Sequence, residues 1–181
     1  DALEVIRKAD NLTRGMPKTI YLVGWQKGGH DHGYPAWDEV NPTLKRPGDA
    51  TALDSLRWLI REARQYNTTV SLHINMLDAY EQSPLWDEYV AKDCLARDEH
   101  GDLLSPGIQM RGEPMYNVVY PREWEEGMAQ RRIDRLIAMM DGEGVTIGYC
   151  FDTAAFDRIG STLQGQQVKC WPSRRTIGKC L

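Results

Sequence analysis

Apolar runs that read as strands alternate along this chain with amphipathic stretches that read as helices, and this alternation limits the fold more than any other feature. Residues 20–25 are short, nearly continuous in apolar side chains and rich in β-branched and aromatic types, the pattern of a strand covered on both faces. Residues 70–75, 115–120 and 145–151 repeat it. Helical patterns lie between them. Thr51 and Asp54 have the spacing of a capping box, and Leu53, Leu56, Leu59, Ile60 and Ala63 then recur on one helical face. Ser83-Pro84 reads as the N-cap and first turn of a short helix through Trp86 and Tyr89. Trp124, Met128, Ile133, Leu136, Ile137 and Met140 mark one long helix, ended by Gly142 and Gly144.

Strands and helices in this order imply parallel strands joined by right-handed crossovers. The expected fold is α/β, with four such units forming the N-terminal half of a truncated (β/α)₈ TIM-type barrel. Residues 1–157 would be this partial barrel. Residues 158–181 are largely polar and basic without periodicity, and read as an irregular tail. A doubly wound open sheet fits the same alternation, but no G-x-G-x-x-G follows the first strand.

Composition narrows the function. The formal net charge is −4 and the pI about 5.6, which argues against a nucleic-acid or anionic-membrane surface. No run approaches the ~18 apolar residues of a membrane span. The opening Asp1-Ala2-Leu3-Glu4 lacks the basic and apolar regions of a signal peptide, so the chain is expected to begin inside a larger protein or after a processing site. Cys94, Cys150, Cys170 and Cys180 have neither redox-pair nor zinc-finger spacing. Buried free thiols are expected at Cys94 and Cys150, while a Cys170–Cys180 bridge stays open. Six Trp and eight Tyr against two Phe is a balance suited to partly wet sites, because both rings join an apolar face to a polar edge.

In parallel α/β folds, reactive groups gather at the carboxyl ends of the strands. The first strand leads into Gly28-Gly29-His30-Asp31-His32-Gly33, the second ends at His73-Ile74-Asn75 with Asp78 and Tyr80 just beyond, and the fourth ends at Asp152. A carboxylate at the end of an apolar strand is costly unless it has a task, so Asp152 is the leading catalytic candidate. Asn75 follows His73 by two residues, on the same face of a strand. Asp78 fits a turn. His30-x-His32 with Asp152 would suit a metal-dependent hydrolase, but the pair follows two glycines in a loop, and the expected site is metal-free.

Tyr21-Leu-Val-Gly-Trp-Gln26, Gly29-His-Asp31 and Tyr34-Pro-Ala-Trp37 resemble the opening of the catalytic barrel of endo-α-N-acetylgalactosaminidases, glycoside hydrolase family 101. Gly15-Met-Pro-Lys18, His73-Ile-Asn75 and Tyr149-Cys-Phe-Asp152 agree with the family's layout. The resemblance implies release of Galβ1-3GalNAc from Ser or Thr of mucin-type glycoproteins, with retention of configuration and without a cofactor. It implies carbohydrate as the partner, an extracellular or cell-surface location and Asp152 in the nucleophile's place. His30, Asp31, His73 and Asn75 would bind sugar hydroxyls. Retention needs a second carboxyl about 5–5.5 Å from the nucleophile, and the family's general acid is a Glu on the following strand. No Glu follows Glu143, so that acid is expected to be missing. The family's tryptophan-rich stretch is also missing, since residues 107–116 hold no Trp. A sugar-binding remnant without catalysis is the alternative reading.

Overall fold

The computed structural model describes residues 1–140 and 146–149, the last four and Met110 through their backbone. Asp152, Cys150, Cys170, Cys180 and the expected tail 158–181 lie outside the described residues.

Helix α1 (Ala2–Thr13) starts where the Asp1 carboxylate accepts the Leu3 amide at 3.0 Å, and it buries Ile6 against the core. Strand β1 (Lys18–Leu22) follows, then a long loop, then helix α2 (Ala52–Arg64) and strand β2 (Thr68–Ile74). The capping box of α2 is complete. Thr51 accepts the Asp54 amide at 3.1 Å, and the Asp54 carboxylate accepts the Thr51 amide at 2.9 Å. The apolar stripe of α2 is buried at Leu56, Leu59, Ile60 and Ala63, facing Val70, Leu72 and Ile74 in one core.

β1 and β2 pair in parallel from Lys18↔Thr68 to Leu22↔Leu72. The far side of β2 pairs in parallel with a strand at Thr146–Tyr149, so among the described residues β1 lies at an edge of a three-stranded sheet. Parallel strands with covering helices make the chain α/β, as expected. β1 differs in detail. It ends at Leu22, and its faces alternate, leaving Tyr21 and Val23 about half exposed.

Residues 115–120 are not a strand of this sheet. After β2 the chain forms β3 (Asp78–Ala79), α3 (Trp86–Ala91) and the hairpin β4 (Gln109–Met110) and β5 (Glu113–Pro114). β6 (Tyr116–Asn117) then pairs antiparallel with β3. The amides of Val118 and Val119 donate to the carbonyls of Leu77 and Cys94, at 2.7 and 2.8 Å. Those bonds tie the segment to a satellite cluster around Tyr89, Cys94, Leu95 and Val118. The described parallel strands therefore number three, and Thr146–Tyr149, hereafter β7, follows β2 in the sheet.

Two helices also depart from expectation. α3 begins at Trp86 after Leu85, which supplies no side-chain cap, and Ser83 Oγ receives the Leu85 amide only at 3.4 Å. The long helix is broken into α4 (Tyr120–Glu125) and α5 (Met128–Met140) by Gly127, whose φ of 70° ends the first piece. The break turns Trp124 outward to 38% exposure.

α5 is fastened by Arg132. Its guanidinium meets the Glu123 carboxylate at 2.9 Å, donates to the Pro35 carbonyl at 3.0 Å and lies 4.2 Å over the Trp37 ring. The Tyr89 hydroxyl also donates to Glu123. Burial pushes the Glu123 carboxyl up, against the opposing pull of Arg132 and the Tyr89 hydrogen bond. This pair holds the loop after β1 to the helical layer.

Candidate active site

The carboxyl ends of β1 and β2 meet under the loop that leaves β1. The buried Trp25 indole donates to the His73 carbonyl at 2.6 Å, and the Gln26 amide donates to the same carbonyl at 3.1 Å and to the Tyr34 hydroxyl. The loop is thus drawn across the end of β2. Gly28 and Gly29 turn it with φ of 78° and 98°. A Cβ on Gly28 would stand 2.3 Å from His32 Nδ1, so only glycine fits. Asp31 is left-handed too, at φ 55°, a conformation that Asp tolerates better than most side chains.

That backbone path sends two adjacent side chains toward His73. Asp31 Oδ1 lies 3.0 Å from His73 Nε2, Asp31 Oδ2 lies 3.3 Å from His30 Nε2, and the two imidazole centroids are 5.0 Å apart. The other His73 nitrogen, Nδ1, lies 2.7 Å from the Tyr21 hydroxyl. An ionised carboxylate only accepts, so the network assigns the proton to Nε2, leaving Nδ1 to accept from Tyr21. Asp31 and His73 are buried, while the His30 side chain is about half exposed. The result is a buried carboxylate held by one histidine and flanked by a second at the surface.

Two buried phenols, Tyr34 and Tyr80, lie near enough to feel the Asp31 charge. Burial is the main cause that pushes the Tyr34 phenol pKa well above the ordinary range, with the nearby Asp31 charge next. Tyr80 is raised likewise, by burial and then by Asp78, whose carboxylate receives the Tyr80 hydroxyl at 3.3 Å. Both phenols stay protonated and act as neutral hydrogen-bonding groups.

Of the residues expected from sequence, His30, Asp31 and His73 come together. Asn75 lies past the end of β2, and its Oδ1 accepts the Leu77 amide at 2.7 Å, a local turn bond. His32 turns away, with Nδ1 3.2 Å from the Lys27 carbonyl, into a separate cleft of about 340 Å³ shared with Lys27 and Gln82. The expected turn residue Asp78 is buried in β3. Tyr21, Gln26 and Tyr34 enter the sequence analysis only within the motifs of the family resemblance, because each sits in a segment that reads as core or loop.

One ligand atom each from His30, Asp31 and His73 lies within 4.8 Å of the others, a spacing that could hold an ion. Both His73 ring nitrogens already have hydrogen-bond partners, however, and coordination would require breaking the bond to Asp31 or Tyr21. The trio is better matched to hydroxyl groups, for which a carboxylate and an imidazole N–H supply an acceptor and a donor.

The endo-alpha-N-acetylgalactosaminidase family model matches residues 1–150, which includes every element described above. The chain belongs to glycoside hydrolase family 101. Among solved structures it is similar to the alpha-N-acetylgalactosaminidase NagBb from Bifidobacterium bifidum. The ligand-free form superposes with a TM-score of 0.60 at 14% identity, over 81% of this chain and 21% of that one. The Gal-NHAc-DNJ complex gives a TM-score of 0.60 at 14% identity, covering 81% of this chain and 20% of the other. At that identity the likeness concerns the fold: this family 101 chain has the α/β arrangement of barrel glycosidases and spans about a fifth of the length of NagBb.

Proposed function

We propose that this chain supplies part of the sugar-binding wall of a retaining glycoside hydrolase acting on Galβ1-3GalNAc linked to Ser or Thr of extracellular glycoproteins. The observation that carries the reading is the buried Asp31 carboxylate, set between His30 and His73 at the carboxyl ends of β1 and β2. Membership of family 101 supports the same substrate class.

In this reading the Asp31 carboxylate accepts one sugar hydroxyl, and His30, at the surface, contacts a neighbouring one. His73 holds Asp31 in place, and Tyr21 holds His73. A charged acceptor discriminates strongly between epimers, because an axial hydroxyl moved to the equatorial position leaves the buried carboxylate one donor short. Asn75 contributes to the wall through its side-chain amide. Asp152, a few residues beyond β7, is the proposed nucleophile. It attacks the anomeric carbon, expels the leaving oxygen and forms a glycosyl ester that water later cleaves.

The test uses an aryl glycoside of the disaccharide with a good leaving group, which needs little help from a general acid. Mass spectrometry after rapid quenching should find the disaccharide ester on the peptide containing Asp152, absent in Asp152→Asn. An adduct on another carboxylate, or wild-type turnover by Asp152→Asn, overturns the assignment.

A further inference from the structure

The hairpin formed by β4 and β5 places a lone guanidinium beside this site. Arg111 and Gly112 are the two residues of its turn, and both are left-handed, with φ of 57° and 85°, as a tight two-residue hairpin turn requires. The turn carries Arg111 onto the glycine turn of the β1 loop. A Cβ on Gly29 would stand 2.6 Å from Arg111 Nη2, so the guanidinium occupies the space a side chain at Gly29 would fill. Gly29 directly precedes His30 and Asp31.

Arg111 is exposed, and among the described residues it forms no hydrogen bond or ion pair. Neither Asp31 nor Glu113, two residues further along the hairpin, comes within salt-bridge distance of it. An unpaired guanidinium on the rim has a fork of donors that matches a carboxylate or a sulfate ester, and far less affinity for a neutral hydroxyl.

Building on the sugar-binding reading above, we propose that Arg111 is a specificity-determining residue that binds an anionic substituent on the sugar held by His30 and Asp31. The substituent has the chemistry of a planar carboxylate or a sulfate group. The hairpin brings it a positive charge at the mouth, while the acidic Asp31 and Asp78 line the interior and favour hydroxyl donors there.

The test measures binding of three probes to the full chain by ligand-observed NMR: the benzyl glycoside of Galβ1-3GalNAc, its sulfate ester and its sialylated form. Wild type should bind at least one anionic probe about tenfold more tightly than the neutral one at low ionic strength, the preference shrinking with added salt. Arg111→Gln should bring that ratio close to one, and Arg111→Lys should restore part of it. Preference for the sulfate ester alone or for the sialylated probe alone supports the proposal and identifies the source of the anion. A wild-type ratio near one, or a ratio unchanged in Arg111→Gln, overturns it and leaves the sugar-binding reading intact. Binding of none of the three overturns the sugar-binding reading, and this proposal falls with it.

Discussion

Replacing Arg132 by Met should destabilise the chain by about 3–5 kcal/mol at neutral pH, because it strands a buried carboxylate. Arg132 is 3% exposed and Glu123 0%, and their charged atoms are 2.9 Å apart. Breaking one side of such a pair is far costlier than replacing both, since the remaining charge keeps its desolvation penalty and loses its compensation. The lost bond to the Pro35 carbonyl adds about 1 kcal/mol, whereas Met fills much of the vacated volume and limits any cavity. The pH dependence follows from the direction of the Glu123 shift. Burial already raises its folded pKa, and removing Arg132 removes the larger opposing influence. A carboxyl raised in the folded state incurs no ionisation penalty below its unfolded value, about 4.3, and one that grows as pH rises from there to the folded value. The variant's deficit should therefore be smaller at pH 4 than at pH 7. Urea unfolding followed by Trp fluorescence at both pH values measures it, with Glu123→Leu/Arg132→Met as the relief variant expected to regain most of the loss. A single-variant deficit under 1 kcal/mol, or one that grows on acidification, refutes the reasoning.

Other consequences are as direct. Thr51→Ala removes one half of the complete capping box and should cost about 1 kcal/mol, read as a shift in the urea midpoint. Gly28→Ala should destabilise by more than the ~1 kcal/mol of a left-handed alanine, because its Cβ collides with the His32 ring, and circular-dichroism melting reports it. Cys94 is buried with its thiol pushed up to about 11, so a thiol reagent at pH 8 should label it only after denaturant is added. Tyr21→Phe removes the hydrogen bond to His73 Nδ1 and should weaken binding of a galactoside several-fold with little change in stability, as titration calorimetry would show.

Much of the architecture was legible where local signals and tertiary demands agreed. The Thr51–Asp54 box and the apolar stripe of α2 are as the spacing implies, and β2 is an almost fully buried strand, as its apolar run suggests. Residues 115–120 misled because β-branched and aromatic content reports a preference for extended backbone, not the partner that satisfies its hydrogen bonds. Their buried residues, Met115 and Val118, are three apart, a spacing no regular strand gives. α1 carries its own signal, an Asp cap with Leu3 and Ile6 following, which the strand-centred reading passed over. The convergence of His30, Asp31 and His73 was legible because His73 lies near the end of β2 and the other two lie in the loop that leaves β1. Tyr21 was not. Its role depends on the pairing of β1 with β2, which lets its ring reach across to His73 and which no local pattern encodes. Arg111 was equally hidden, since its place depends on how a hairpin folds back onto Gly29.

The central claim is that Asp31, clamped between two histidines, reads a sugar hydroxyl. Titration calorimetry of the Galβ1-3GalNAc benzyl glycoside into wild type and Asp31→Asn tests it most directly. Loss of a hydrogen bond to a charged acceptor is worth about 1.5–3 kcal/mol, so affinity should fall by about ten- to a hundredfold. An unaltered affinity in Asp31→Asn, with the fold intact by circular dichroism, would contradict the account.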